Sequence, residues 1–212
     1  GILNEERLQR TDFLFSQAKN YQIRLIPVLV NNWEDFGGKL QYLDWTGNPR
    51  VEDIFYKNQR VVDLFKNYIN SVISRKNSIT GVHYRDESSI LGWEIMNEPR
   101  SFRNEEVLSA WSREISQFIK DSDSSHLVLM GTERVSESGP LNTDGICREE
   151  NIDVCSVHLY LVHDDELIFK NTEEMYQLLD KQLESAHSLN KPLLLGEFGI
   201  SKQLTPFDQN PL

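Results

Sequence analysis

The chain has 212 residues, of which 39% are hydrophobic and 26% are charged, a composition typical of one globular domain with a sizeable core. Its net charge of −11 at pH 7 opposes binding to nucleic acid or to anionic membrane surfaces, because both are negatively charged. No apolar run approaches the ~20 residues that a membrane-spanning helix needs. A neutral or cationic partner fits this charge better.

Helical patterns and short apolar runs alternate along the chain. In chain order, the spacing of apolar residues predicts a helix at 4–20 and further helices around Leu64, Trp111 and Leu178. Nearly continuous apolar runs, typical of strands covered on both faces, lie at 24–30, 90–97, 126–132, 154–160 and 192–198. Alternation of strands and helices predicts an α/β fold with a parallel sheet.

The cysteine content indicates neither a disulfide scaffold nor a zinc site. Cys147 and Cys155 are too few for the first, and their spacing matches no zinc motif. We expect both to be free thiols, with Cys155 buried in the strand at 154–160.

Polar residues at the strand ends favour a closed barrel over an open nucleotide-binding sheet. The sequence has no G-x-G-x-x-G or Walker A motif. Four of the five predicted strands end in groups capable of chemistry: Asn31 and Asn32, Asn97 and Glu98, His158 and Tyr160, and Glu197. A ring of functional groups at strand carboxyl ends is how a (β/α)8 TIM barrel builds its active site.

Side-chain alternation predicts which residues face the barrel interior. In the strand at 154–160, His158 and Tyr160 would point into the barrel mouth, while the odd-numbered residues would face the helices. In the last strand, Glu197 would share its face with Leu193 and Leu195, which would form interior layers below it.

Glu98 and Glu197 each stand at the end of a buried strand. Either one alone could be a solvated charge. Together they supply the acid and the partner carboxylate that glycoside hydrolysis needs at one site. Because two neighbouring carboxyls cannot both ionise easily, the proton favours one of them and the other stays anionic as a nucleophile.

Several motifs resemble a known family. "WEIMNEPR" (93–100) resembles the acid/base strand, and "LLLGEFG" (193–199) the nucleophile strand, of the retaining (β/α)8 glycoside hydrolases that include family 5. The segments 30–45 and 74–100 and the later "HLY" (158–160) are similar to its endo-β-1,4-mannanase branch. The resemblance implies endo-acting hydrolysis of β-1,4-mannosidic linkages in mannan, glucomannan or galactomannan by double displacement, without a cofactor. The remaining histidines lack metal-ligand spacing, so no metal site is predicted.

The resemblance also implies roles for individual residues. Glu98 would be the general acid/base on the fourth strand, and Glu197 the nucleophile on the seventh. Asn97 would bind the sugar 2-hydroxyl, and Arg100 would face leaving-group sugars. Plainer interpretations stay open, since Asn97 could form the turn before Glu98 and Arg100 could be a surface charge.

Three aromatic or heterocyclic side chains complete the predicted site. His158 and Tyr160, on the sixth strand, would hold the site, with the Tyr160 hydroxyl donating to Glu197 and keeping it charged. Trp33 could be a stacking platform, because a flat apolar ring complements the C–H face of a pyranose. His158 could also be a core histidine, and Trp33 could be ordinary packing.

The chain is shorter than the family pattern. We predict strands 3 to 7 only, and 212 residues fall below the ~250 usual for this barrel. Residues 1–212 would then be a partial catalytic domain without strands 1, 2 and 8, which in the family carry an active-site Arg and a Trp below the cleaved sugar. Nothing in 200–212 replaces that Trp. We expect the chain alone to be inactive, with five interior residues deprived of their facing layers: Val28, Val30, Ile95, Val154 and Leu195.

Two other functions stay open beside the mannanase. A β-1,4-glucanase of the same clan would act on a sugar that differs in the orientation of one hydroxyl, and a non-catalytic carbohydrate-binding barrel would usually lose one carboxylate. By resemblance, the full-length protein would be a secreted monomer that acts on a polysaccharide. The opening "GILNEERLQR" shows neither an initiator Met nor a signal peptide.

Overall fold

A computed structural model describes residues 3–101, 105–133, 143–160, 162–163, 166–167 and 172–199. Its helices are Glu5–Asn20 (α1), Gly38–Thr46 (α2), Asp53–Lys57 (α3), Gln59–Ile73 (α4), Glu105–Ser122 (α5), Thr143–Cys147 (α6) and Thr172–Ser188 (α7). Its strands are Gly92–Asn97 (β1), Leu127–Gly131 (β2), Cys155–Tyr160 (β3), Val162–His163 (β4), Glu166–Leu167 (β5) and Leu193–Gly199 (β6). The four predicted helices are confirmed as α1, α4, α5 and α7. Within these ranges, the helices are too short or too polar to cross a bilayer.

The long strands form an open parallel arc. β1 pairs with β2, and β3 pairs with β6, in both cases in parallel. Isolated parallel bridges from Leu129 to Val154 and from Glu133 to His158 join the two pairs. β4 and β5 form a short antiparallel pair of their own. The predicted α/β barrel arc is therefore present, and within the described ranges it does not close.

The predicted strand at 24–30 is only partly formed. This segment meets β1 and the residues before it through three isolated parallel bridges, which involve Leu25, Val28 and Asn31. Pro27 lies between two of them and cannot donate to a ladder, although its carbonyl accepts from Glu94 N. Val28 is 48% exposed, as expected at the edge of an open arc.

The main core lies between β1, β2 and the helices that cover them. The rings of Phe55, Phe65 and Trp111, from α3, α4 and α5, pack with centroids 5.6 to 5.8 Å apart. Val30 and Ile95 belong to this core and are buried, so the expectation that they lose their facing layers is wrong. Val154, which bridges to Leu129 of β2, is only partly buried.

A bulge in β6 overturns one predicted alternation. Leu195 is paired with Val157, but the next pair is Glu197 with His158, so that Gly196 is an extra residue in β6. Leu193 and Leu195 therefore pack with the cluster against α7 and do not line the interior below Glu197. The extra residue is a glycine because a Cβ at this position would lie 2.9 Å from His158 Nε2. The bulge brings Glu197 to the face of His158.

The two cysteines are paired, which corrects the expectation of free thiols. Cys147 ends α6 and Cys155 begins β3, with their Cα atoms 5.2 Å apart, a separation that a disulfide spans readily. The expected burial of Cys155 is confirmed. The fold brings together two residues whose sequence spacing gave no sign of pairing.

A buried carboxylate ties α1 to the loop after α4. Asp12 is fully buried and accepts hydrogen bonds from Arg75, from the Tyr84 hydroxyl at 2.6 Å and from the Ser78 hydroxyl at 2.8 Å. Burial alone would raise the pKa of Asp12, but the hydrogen bonds outweigh it and hold that pKa well below its usual range. Asp12 is therefore ionised and fully paired.

Replacing Asp12 by alanine is expected to lower the free energy of unfolding by about 3 kcal/mol, because it leaves the guanidinium of Arg75 without its buried partner. Thermal and urea unfolding of the full-length protein at pH 7 measure this loss. Asp63→Ala on the exposed face of α4 is the matched control, with a change within about 0.5 kcal/mol. Stabilisation by a depressed carboxyl is present above its unfolded pKa of about 3.9 and is lost as the pH falls. The difference between wild type and variant should therefore narrow below about pH 4; a constant difference would contradict the linkage.

Candidate active site

Glu98 stands where β1 ends, in an unusual backbone conformation. Its φ is +48°, in the left-handed region that non-glycine residues rarely adopt, and its amide donates to Gly131 O at 2.6 Å. The residue is 7% exposed. Its carboxylate accepts from Trp33 Nε1 at 2.5 Å and lies 3.1 Å from His158 Nδ1. Glu98 is therefore held on both sides of its carboxylate.

Glu197 faces Glu98 across the ends of β1, β3 and β6. The Tyr160 hydroxyl donates to Glu197 Oε2 at 2.7 Å, so the predicted contact between these two residues is confirmed. His158 Nδ1 lies 3.7 Å from Glu197 Oε1. One oxygen of each carboxylate and a ring nitrogen of His158 all lie within 4.8 Å of one another. This closest approach of two oxygens is well below the ~6.5–9.5 Å separation of an inverting pair and favours the ~5–5.5 Å of a retaining pair.

Charge in this site is distributed over the two carboxylates and the histidine between them. Burial alone would lower the pKa of His158, but its hydrogen bond with Glu98 and the charge of Glu197 outweigh this and raise it. Burial alone would raise the pKa of Glu98, but His158 and Trp33 outweigh it and lower it. The two shifts run in opposite directions, toward an ionised Glu98 and a protonated His158.

Tyr160 and Asn97 are oriented by neighbours at the same strand ends. Burial and the hydrogen bond to Glu197 raise the pKa of Tyr160 to about 12, so its hydroxyl remains a donor. Asn97 Nδ2 donates to Asn31 Oδ1 at 3.1 Å. The structure thus places Asn97 beside Glu98 with a fixed amide, and its role toward a sugar stays a prediction.

Arg100 and Trp33 contact one another in the site. The guanidinium of Arg100 lies 4.5 Å from the Trp33 ring and forms a bidentate pair with Glu133. One face of Trp33 is therefore covered by Arg100, while the indole N–H bonds Glu98. Stacking of a sugar on Trp33 and contact of Arg100 with leaving-group sugars stay predictions.

Two acidic residues of the site were missed from the sequence. Glu133 is 3% exposed and follows β2, the one predicted strand to which no functional end was assigned. Its position just after the apolar run 126–132 was the available signal.

The second missed residue, Glu94, lies inside β1. Burial raises its pKa to about 7, with Glu98 and Glu197 adding to the shift and His158 opposing it. Glu94 could have been recognised from the sequence, because it is a carboxylate in the middle of an apolar run. Gly131 makes room for it, because a Cβ there would collide with Oε1 of Glu94.

The donor atoms of Glu98, His158 and Glu197 are close enough to share a metal ion. Each of these residues already takes part in a polar contact of the site, with Trp33, with Glu98 or with Tyr160. That no metal is needed stays a prediction.

The chain is similar to known glycoside hydrolases along nearly its whole length. It is 35% identical over 235 residues to mannan endo-1,4-beta-mannosidase 5 of Solanum lycopersicum, a match that covers 99% of this chain and 56% of that protein. It is 38% identical over 228 residues to mannan endo-1,4-beta-mannosidase 3 of Arabidopsis thaliana, which covers 94% of this chain and 54% of the relative. The chain thus spans about half the length of the curated relatives it matches.

Solved structures and a family model agree with these matches. An endo-1,4-beta-D-mannanase from Thermotoga petrophila superimposes with a TM-score of 0.85 at 32% identity, covering 95% of this chain and 61% of that one. An endo-1,4-beta-mannanase from Rhizomucor miehei superimposes with a TM-score of 0.83 at 35% identity, covering 92% and 59%. The family model described as GH family 5 beta-mannosidase-like matches residues 1–211. The chain therefore belongs to the β-mannosidase-like group of glycoside hydrolase family 5.

Proposed function

We propose that the protein carrying this chain is an endo-β-1,4-mannanase that cleaves β-mannan with retention of configuration. The observation that carries the proposal is the approach of Glu98 and Glu197 to within 4.8 Å at one end of the parallel arc. Residues 1–212 then correspond to about half of such an enzyme, in keeping with the share of the curated relatives that they match.

The proposed reaction has two steps. In the first, Glu197 attacks the anomeric carbon while Glu98, protonated in the substrate complex, transfers its proton to the departing glycosidic oxygen. In the second, Glu98 takes a proton from water as that water attacks the same carbon, and Glu197 leaves as a carboxylate. The Tyr160 hydroxyl supports both steps, because its hydrogen bond stabilises the negative charge of Glu197.

Other features support a polysaccharide hydrolase that acts outside the cell. The disulfide between Cys147 and Cys155 fits an oxidising compartment. The relatives with 33 to 38% identity are named as mannan endo-1,4-beta-mannosidases, which favours mannan over glucan as the substrate. The presence of both carboxylates in one site disfavours a non-catalytic sugar-binding barrel. We propose a secreted monomer.

The test is hydrolysis by the full-length protein. Galactomannan and glucomannan should be depolymerised rapidly and carboxymethylcellulose slowly or not at all, as measured by viscosity and reducing ends. Proton NMR of the first products should show the β-anomer. Faster cleavage of cellulose would favour the glucanase alternative, and α-anomer as the first product would exclude the double displacement.

Replacing Trp33 by phenylalanine is expected to shift the alkaline limb of the kcat/KM profile upward by about one pH unit. The Trp33 N–H stabilises ionised Glu98, so its removal raises the pKa of Glu98 and keeps the acid protonated to higher pH. The measurement is the pH dependence of kcat/KM on mannohexaose. Trp45→Phe, which changes a 62% exposed indole of α2, is the control and should leave the limb in place. An unshifted limb in Trp33→Phe would contradict the assignment.

A further inference from the structure

Lys39, in the first turn of α2, is a lysine with 1% exposure. Burying an ammonium group is costly unless it is paired and hydrogen-bonded. Its Nζ donates to Glu52 Oε2 at 2.8 Å, to the Tyr56 hydroxyl at 3.3 Å and to Arg100 O at 3.1 Å. Neither Glu98 nor Glu197 is among these partners. The ammonium group of Lys39 is therefore paired with groups other than the two reacting carboxylates.

Lys39 connects two of the strand ends that form the site. Its backbone N–H donates to Asn31 O at 2.8 Å, at the end of the segment that pairs with β1. Its ammonium group holds the carbonyl of Arg100, two residues after Glu98. The same carbonyl accepts from the Tyr56 hydroxyl at 2.9 Å. Two buried donors thus converge on one peptide oxygen next to the proposed acid/base.

The two hydrogen bonds to Arg100 O lie two residues from Glu98, the residue of the site with a strained backbone. The φ of +48° at Glu98 costs free energy and persists only when the chain on both sides of it is fixed. Pairing of β1 with β2 and the bond from Glu98 N to Gly131 O fix the chain up to Glu98. Beyond it, the carbonyl of Arg100 is fixed by Lys39 and Tyr56, and Asn32 Oδ1 accepts from Arg100 N at 3.3 Å.

We propose that Lys39 is a positioning residue for the acid/base Glu98: by holding the Arg100 carbonyl it maintains the left-handed backbone that aims the Glu98 carboxyl at the glycosidic oxygen. The inference rests on the proposed function. An apolar side chain of similar length would fill the same space but release the carbonyl, and Glu98 would relax toward an ordinary backbone conformation. When a catalytic group is displaced by about 1 Å, the reaction rate falls on the order of 100-fold.

The test compares two substrates in the full-length protein. Hydrolysis of mannohexaose needs the proton from Glu98, whereas a dinitrophenyl β-mannobioside has a leaving group that departs without one. In Lys39→Met, kcat/KM on mannohexaose should fall about 10- to 100-fold. On the dinitrophenyl substrate, where kcat/KM reports only formation of the glycosyl-enzyme, it should fall less than about threefold. Lys66→Met, which removes a partly buried lysine paired with Glu114 on the outer helices, is the matched control and should change neither value.

Tyr56→Phe provides a second variant that keeps the shape of the core. It removes the second donor to Arg100 O and one acceptor of Lys39 Nζ, and it should show the same selective loss at a smaller size, so the inference is testable even where Lys39→Met does not fold. Equal losses on the two substrates, or no loss, in these variants would overturn the positioning role while the wild type still hydrolyses mannan. A wild type that hydrolyses neither substrate would overturn the proposed function, and this inference with it.

Discussion

Replacing Glu197 by alanine is expected to abolish turnover on every substrate, with kcat reduced about 10⁵-fold or more. In the proposed mechanism the glycosyl-enzyme forms through this carboxylate, and β6 has no second carboxylate that could replace it. The measurement is kcat of the full-length enzyme on both galactomannan and a dinitrophenyl β-mannobioside. Glu184→Ala, on the exposed face of α7, is the control and should retain full activity.

Glu98→Ala should differ from Glu197→Ala in its substrate dependence. Loss of general acid catalysis lowers the rate on galactomannan by about 10²- to 10⁴-fold, but spares formation of the glycosyl-enzyme from the dinitrophenyl substrate. The intermediate then accumulates, because no base activates water, and azide should restore turnover by attacking it directly. Equal losses on the two substrates with no azide effect would refute the role given to Glu98.

The parts of the fold that depend on local pattern could be predicted from the sequence. α1, α4, α5 and α7 lie where apolar residues recur at helical spacing, because burial of one helix face leaves that pattern. β1, β2 and β3 lie within the apolar runs and β6 extends one residue beyond its run, since strands covered on both faces have no polar side to alternate with. The strand-end residues Glu98, His158, Tyr160 and Glu197 meet because parallel strands share one carboxyl edge.

The features that depend on register could not be predicted in this way. A single extra residue reverses the alternation of a strand, so the bulge at Gly196 places Leu195 outside and Glu197 inside, against strict period-two counting. The disulfide and the pairing of Arg100 with Glu133 join residues whose proximity exists only in the folded chain. Lys39 shows the same limit, because helical spacing does not reveal that an ammonium group is buried.

Among the residues that the structure describes, both edges of the arc lack a neighbouring strand. Every described strand from β1 to β3 is almost wholly buried, whereas β6 contains no buried residue and Phe198 is 73% exposed. At the other edge, Val28 is 48% exposed and faces a cleft of about 1410 Å³ whose walls include Leu64 and Tyr68. An unpaired strand edge beside exposed apolar side chains is a template for association with other chains.

We therefore expect the 212 residues expressed alone to aggregate and to have no mannanase activity. The uncovered apolar side chains at both edges each forfeit up to ~1.5–3 kcal/mol of burial, and a few of them together approach the ~5–15 kcal/mol that stabilises a typical domain. Glu197 would also be a weaker nucleophile, because its side chain is 41% exposed on the edge strand and lacks the enclosed surroundings that a nucleophile needs.

A longer chain that pairs both edges should unfold cooperatively as a monomer and hydrolyse galactomannan. The measurements are light scattering, thermal unfolding and galactomannan hydrolysis on both forms. A sharp transition at monomer mass from the 212 residues alone, together with measurable hydrolysis, would show that the open arc is stable and that the two edges need no partner.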